Sequence, residues 1–178
     1  MKKFFLILSV IVLFITNFSI ARANVVFVDL DKIVSLSEAG KSIIDQLDIL
    51  NKSTIDELKK IEKILKEKEI KLISQKNILS QSEYEKNIRS LKSEIDDYNK
   101  ERKIKIQSIN KLKLKNTNKL LKQVNKVLIK YSEENSILII LQKKNIITGK
   151  SSLDISEDIL KLVNKNIKEF KIKWKKSH

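Results

Sequence analysis

The 178-residue chain has no cysteine and no proline, and it has only two glycines, Gly40 and Gly149. Without cysteine there is no disulfide framework, redox thiol or thiolate metal site, so stability has to come from packing or assembly. Without proline, and with so little glycine, the usual punctuation of a globular fold is missing and long uninterrupted helices are permitted. Histidine occurs once, as His178, where a frayed terminus is a more natural reading than a ligand or general base. No Gly-rich phosphate loop, HExxH or GxSxG is present. The many carboxylates alternate with lysines in the manner of a solvated helix face. These absences argue against an enzyme, and no metal or cofactor is expected.

What the chain has in abundance is positive charge, with 37 Lys and Arg against 22 acids, a formal +15. Its first 23 residues, MKKFFLILSVIVLFITNFSIARA, have the three-part layout of an export signal. Lys2 and Lys3 form the charged start, an apolar stretch follows, and Ala21 and Ala23 are small residues at the two positions before the cut that a signal peptidase reads. A membrane span needs about 20 apolar residues, and Thr16, Asn17 and Ser19 interrupt the run first. Cleavage after Ala23 is expected. Loss of Lys2, Lys3 and Arg22 lowers the charge by three, from +15 to +12, so an anionic partner is expected for the exported protein.

Between residues 41 and 131 the apolar residues recur at helical spacing. Leu58, Leu65, Leu72 and Leu79 stand seven apart, the mark of a coiled-coil seam. Polar residues 80–83 break the pattern, and either Ser82 with Glu85 or Ser80 with Glu83 has the form of a capping box opening a new helix. Tyr84, Ile88, Leu91, Ile95 and Tyr98 then alternate at spacings of four and three. The expected unit is a long antiparallel helical hairpin with its turn near 80–83. Charge is distributed unevenly along it. Residues 102–132 carry Arg102, Lys103, Lys105, Lys111, Lys113, Lys115, Lys119, Lys122, Lys126 and Lys130 and no acid. Such a run is commonly a solvated face, but a field of one sign also attracts acidic chains or phosphates over a Debye length of about 8 Å.

The flanks read differently. Val25, Val26, Phe27 and Val28 form an apolar run of strand length, as do Ile137, Leu138, Ile139, Ile140 and Leu141; Ile146 and Ile147 open a third, shorter one. Residues 24–40 and 132–164 are therefore expected to meet as one small β/α body from which the hairpin projects. Asp154 or Ser156 caps a closing helix whose buried side is Ile159, Leu160, Leu162 and Val163. Three short strands leave exposed edges that association between copies would close. Residues 165–178 form a basic tail; its composition reads as disordered, with Trp174 amid lysines as a possible membrane-interface contact.

These stretches, VVFVDLDKIVSLSEAGKSIIDQL, LSQSEYEKNIRSLKSEI and ENSILIILQKKNIITGKSSLDISEDILKLVNK, resemble the OmpH family. The resemblance implies a mainly α fold with a small β-sheet, and a homotrimer whose strands build a barrel hub. It also implies a periplasmic holdase: helical tentacles would enclose unfolded outer-membrane proteins without ATP. Basic walls would favour acidic clients and permit contact with anionic lipid. The family's best-known member has basic tentacle tips, whereas Glu83, Glu85, Glu94, Asp96, Asp97 and Glu101 lie near the turn here. Two other classes fit the composition. A structural coiled-coil tether of the envelope would bind one fixed partner. A nucleic-acid-binding protein would need a stacking platform or recognition motif that is missing, and export would separate it from the chromosome, so nucleic acid is not an expected partner.

Overall fold

The protein, in a computed structural model, is described over residues 24–174. Residues 1–23, expected to be an export signal, and the terminal His178 lie outside the described residues. The described elements run β1 (Val25–Val28), α1 (Leu30–Leu36), α2 (Glu38–Ser74), α3 (Gln81–Glu134), β2 (Ile139–Gln142) and α4 (Ser156–Asn166), with single 3-10 turns at Lys143–Asn145 and Ser151–Leu153. The protein is thus mainly helical with a two-stranded sheet. No helix among the described residues is long and apolar enough to cross a membrane.

The sheet joins the two flanks. β1 pairs with β2 in parallel, in the register Val25↔Ile139, Val26↔Ile140, Phe27↔Leu141 and Val28↔Gln142. Parallel strands require a crossover, and here the crossover is the whole helical middle. The apolar run expected over residues 137–141 enters the strand only at Ile139; Leu138 N–H donates to the Asn24 carbonyl at 3.0 Å just before it. The third strand expected at Ile146 and Ile147 does not form. A 3-10 turn leads instead into irregular chain, and Ile147 is fully solvent-exposed. The other side of β1 is taken by residues 154–155, through a parallel bridge of Phe27 with Asp154 and an N–H bond from Ile155 to the Phe27 carbonyl at 3.0 Å.

Two side-chain caps shape the entry to the helices. Asp29 accepts from Lys32 N–H at 2.9 Å and starts α1, whose apolar Leu30, Ile33 and Val34 recur at helical spacing. That spacing and cap were available in the sequence, but the segment runs only seven residues. Ser37 ends α1 and caps α2 through Gly40 N–H at 3.1 Å.

The long helices are about 55 and 80 Å at 1.5 Å per residue. They run antiparallel, as cross-helix ion pairs show: Glu57 with Lys105 at 2.9 Å and Lys68 with Glu94 at 2.6 Å. Leu58, Leu65 and Leu72 are buried on this contact, whereas Leu79 lies past the end of α2. The opening cap of α3 is Ser80 with Glu83: Ser80 Oγ accepts from Glu83 N–H at 3.3 Å, and the Glu83 carboxylate accepts from Ser80 N–H at 3.2 Å. Ser82, the other candidate, already lies inside the first turn. A cap of this kind contributes about 1 kcal/mol.

Among the described residues, the core sits where the roots of the helices meet the sheet. Val28, Ile33, Ile43, Leu47, Leu120, Val124, Ile159 and Val163 are packed together there. On α4 the buried side is Ile159 and Val163, with Leu160 and Leu162 partly covered. The N-cap position of α4 is Ile155 rather than either polar candidate, yet the Asp154 carboxylate still satisfies Ser156 N–H at 3.0 Å.

Asp154 also accepts from Lys143 Nζ at 2.6 Å. Burial opposes its charge, but the hydrogen bonds from Lys143 and Ser156 prevail and hold its carboxyl below the ordinary 3.8. A depressed folded-state pKa stabilises the fold above the unfolded value, and that contribution is lost as pH falls through the folded one. On acidification below 3.8, the amide resonance of Ser156 is expected to move with Asp154 protonation. In Asp154→Asn that titration should be absent; a resonance that still titrates would assign the effect to another group.

Candidate functional site

Two surfaces contain the residues singled out by the sequence. The first is the outer face of α3. Lys111, Lys115, Lys119, Lys122, Lys126 and Lys130 follow one another at spacings of four, four, three, four and four, which on a 3.6-residue helix align them in one stripe. All six are exposed, and the core side of the same helix carries Leu120, Val124 and Leu128. Arg102, Lys103 and Lys113 are exposed but project from other sides of the helix. Lys105 is not part of an open surface: its side chain is only 17% exposed and lies 2.9 Å from both Glu57 and Glu101. Burial works against its charge, but the bonds to the two carboxylates outweigh it and raise its pKa.

Lys130 reaches Glu134 at 3.7 Å. Among the described residues, Lys111, Lys115, Lys119, Lys122 and Lys126 have no carboxylate within 4.0 Å. The run that is uniform in sequence therefore resolves into a stripe of six, three scattered cations and one tied to the helix pair. Nearer the turn the helix pair exposes apolar surface as well. Ile70, Ile73 and Ile88 are exposed, and a cleft of 240 Å³ opens between the helices over Leu72, Tyr84, Leu91 and Ile95. Ile88, expected in the seam, stands at its edge.

The second surface is the sheet. Val26, Phe27 and Val28 are buried and Val25 is partly so, while Ile137 and Ile140 are half-buried against the core. Leu138, Ile139 and Leu141 are 69%, 50% and 44% exposed. The structure thus brings Val25, Val26, Phe27 and Val28 together with Ile139, Ile140 and Leu141, leaves Ile146 and Ile147 outside, and presents an open apolar β2 edge. Beside it, a groove over Leu30, Leu128, Ile129 and Leu141 separates the sheet from the root of α3.

The tail was not legible as structure in the sequence. Beyond α4 the chain continues as an extended segment, with Ile167 and Phe170 buried and Ile172 packed on the core. Its backbone is hydrogen-bonded by Ser42 and Gln46 on α2, polar residues that no periodicity argument selects.

Among the described residues, no group of three or more His, Cys, Asp and Glu side chains could hold a metal ion. No curated protein matches the chain. Among solved structures, a crystal structure described as an outer membrane chaperone (OmpH-like) from Caulobacter crescentus CB15 has a TM-score of 0.78 at 14% identity, over 85% of this chain and 89% of that one. At that identity the likeness speaks for the fold. The family model for outer membrane protein (OmpH-like) matches residues 24–163, from the first residue of the sheet body to the buried face of α4, and by that match the chain belongs to the OmpH-like family.

Proposed function

We propose that the protein is a periplasmic holdase that captures unfolded outer-membrane proteins without ATP, in a cavity between helix pairs projecting from a trimeric β hub. The observation that carries this reading is the surplus of exposed apolar surface at both ends of the molecule. A chain with Leu138 and Ile139 open at its sheet edge and Ile70, Ile73 and Ile88 open near the turn has surface to bury. Contiguous exposed apolar patches mark interaction sites. The sheet edge suits copies of the same chain, because an unpaired strand is a template for another strand. The apolar surface between the helices is shallow and open, which suits many weak contacts with an unfolded chain. Their sum holds the client only while they engage together.

The lysine stripe supplies long-range attraction for acidic clients and for anionic lipid headgroups. Residues 24–40 and 132–164 act in this reading as the association body, and 41–131 as the tentacle.

The test combines two measurements. Sedimentation of the protein without its export signal is expected to show a trimer; a monomer would remove the cavity. An outer-membrane protein diluted from urea is expected to stay soluble in its presence without nucleotide. Aggregation at the rate seen without it would favour the envelope tether instead.

A further inference from the structure

The extended tail is held in a particular way. The side-chain amide of Gln46 makes two bonds to its backbone: Nε2 donates to the Phe170 carbonyl, and Oε1 accepts from Ile172 N–H at 3.0 Å. Ser42 Oγ adds a longer bond to the same Phe170 carbonyl at 3.4 Å. One amide that reads both a carbonyl and the N–H two residues on imitates the edge of a neighbouring strand, and it recognises any extended peptide regardless of sequence. Side chains add selectivity. Phe170 is 6% exposed, with Lys119 Nζ 5.1 Å from its ring centroid, a cation–π distance. Ile172 packs on the core two residues later, while Lys171 between them is exposed. This alternation is that of an extended chain laying one face on a surface.

We propose that Ser42, Gln46 and Lys119 form a docking groove for an extended polypeptide with an aromatic residue two places before an aliphatic one, and that this chain's own Phe170-Lys171-Ile172 fills the groove at rest. An unfolded β-strand protein, with apolar residues at alternate positions, presents the same pattern and displaces the tail when it binds. This inference rests on the holdase reading for its partner, and on the bonds above for the groove itself. The tail then acts as a resident competitor at the root of the helix pair.

The single tryptophan, Trp174, lies two residues beyond Ile172 and is half-buried, so its emission reports the docked tail in the intact protein. A tryptophan-free peptide of residues 168–173 is added in excess of the tethered tail's effective concentration, on the order of millimolar. Trp174 emission is expected to move to the red in a saturable way, and a peptide with Phe170→Ala should leave it unmoved. In full-length Gln46→Ala, tail docking should weaken about tenfold through loss of the two bonds, shifting the emission without any peptide while the far-UV helical signal persists. Failure of both the peptide and Gln46→Ala to move the emission overturns the groove.

A tryptophan-free unfolded outer-membrane protein should also shift the emission. If that client stays soluble with the protein while Trp174 is unmoved, the groove is not a client site and the holdase reading stands. If the client aggregates although the peptide shifts Trp174, the groove stands and the holdase reading falls.

Discussion

Gly40→Ala is expected to cost about 3 kcal/mol or more of folding stability, as forced overpacking against rigid atoms does at its upper end. Helix propensity alone predicts the opposite, a gain of about 1 kcal/mol from replacing glycine inside a helix. The geometry decides between them. A Cβ at Gly40 would lie 1.6 Å from the Val34 carbonyl oxygen and 2.7 Å from its carbon. Those are backbone atoms of α1, so no side-chain rotation relieves the clash. Moving α1 away from α2 would also disturb the Ser37 cap and buried Ile33. Gly149→Ala is the matched comparison. There the nearest atom is a Phe27 ring carbon at 2.9 Å, and a ring can tilt, so a cost of about 1 kcal/mol is expected. Urea denaturation of the two variants measures the difference, and a Gly40→Ala protein at wild-type stability would show that α1 does not press on α2 as described.

Replacing Lys111, Lys115, Lys122 and Lys126 together with glutamate is expected to slow capture of an acidic unfolded client about tenfold at low salt, at the lower end of electrostatic steering effects. Each exchange lowers the charge by two, taking the formal +15 to +7. Lys119 is left alone because it covers Phe170. The four chosen side chains are exposed, so stability should change by no more than about 0.5 kcal/mol per site. Stopped-flow association at rising ionic strength is the informative measurement. Screening confines such fields to about 8 Å at physiological salt, so variant and wild type should converge as salt is added. Equal rates at low salt would show that capture is governed by the apolar surface alone.

How far this architecture was legible depends on which residues carried it. The apolar run at Val25 to Val28, ending at Asp29, marked both a strand and its limit, and the second strand was found within two residues. Helical spacing of Leu58, Leu65 and Leu72 located the helix contact because each repeats a burial position. What could not be read was competition. Ile146 and Ile147 have strand propensity, but the free side of β1 is occupied by the backbone of residues 154–155, and propensity says nothing about which segment arrives there. Ser82 with Glu85 has the spacing of a capping box and Ser80 with Glu83 is the alternative by the same rule, so spacing alone does not choose Ser80. The turn closed by Leu79 N–H on the Gln75 carbonyl at 3.0 Å leaves Ser80 as the extended residue, and that selects it.

The end of α3 shows the same limit. Ser136 adopts φ 51°, a left-handed conformation usually left to glycine, so no glycine announced it. Of the basic run, charge was plain in the sequence, but the burial of Lys105 between two carboxylates depends on a residue 48 positions away, Glu57.

The parallel pairing of β1 with β2 also sets an order of events. The partner of the first strand ends at residue 142, and the backbone that takes its other edge ends at residue 155, so neither contact is local in sequence. Closing a flexible loop of that length costs about 4 kcal/mol in chain entropy, and contacts so distant in sequence slow folding. The helix pair, built from nearer contacts, can form first and carry the two strand segments toward each other. The sheet is therefore expected to close last, and a chain cut short before residue 139 would possess rods without a junction.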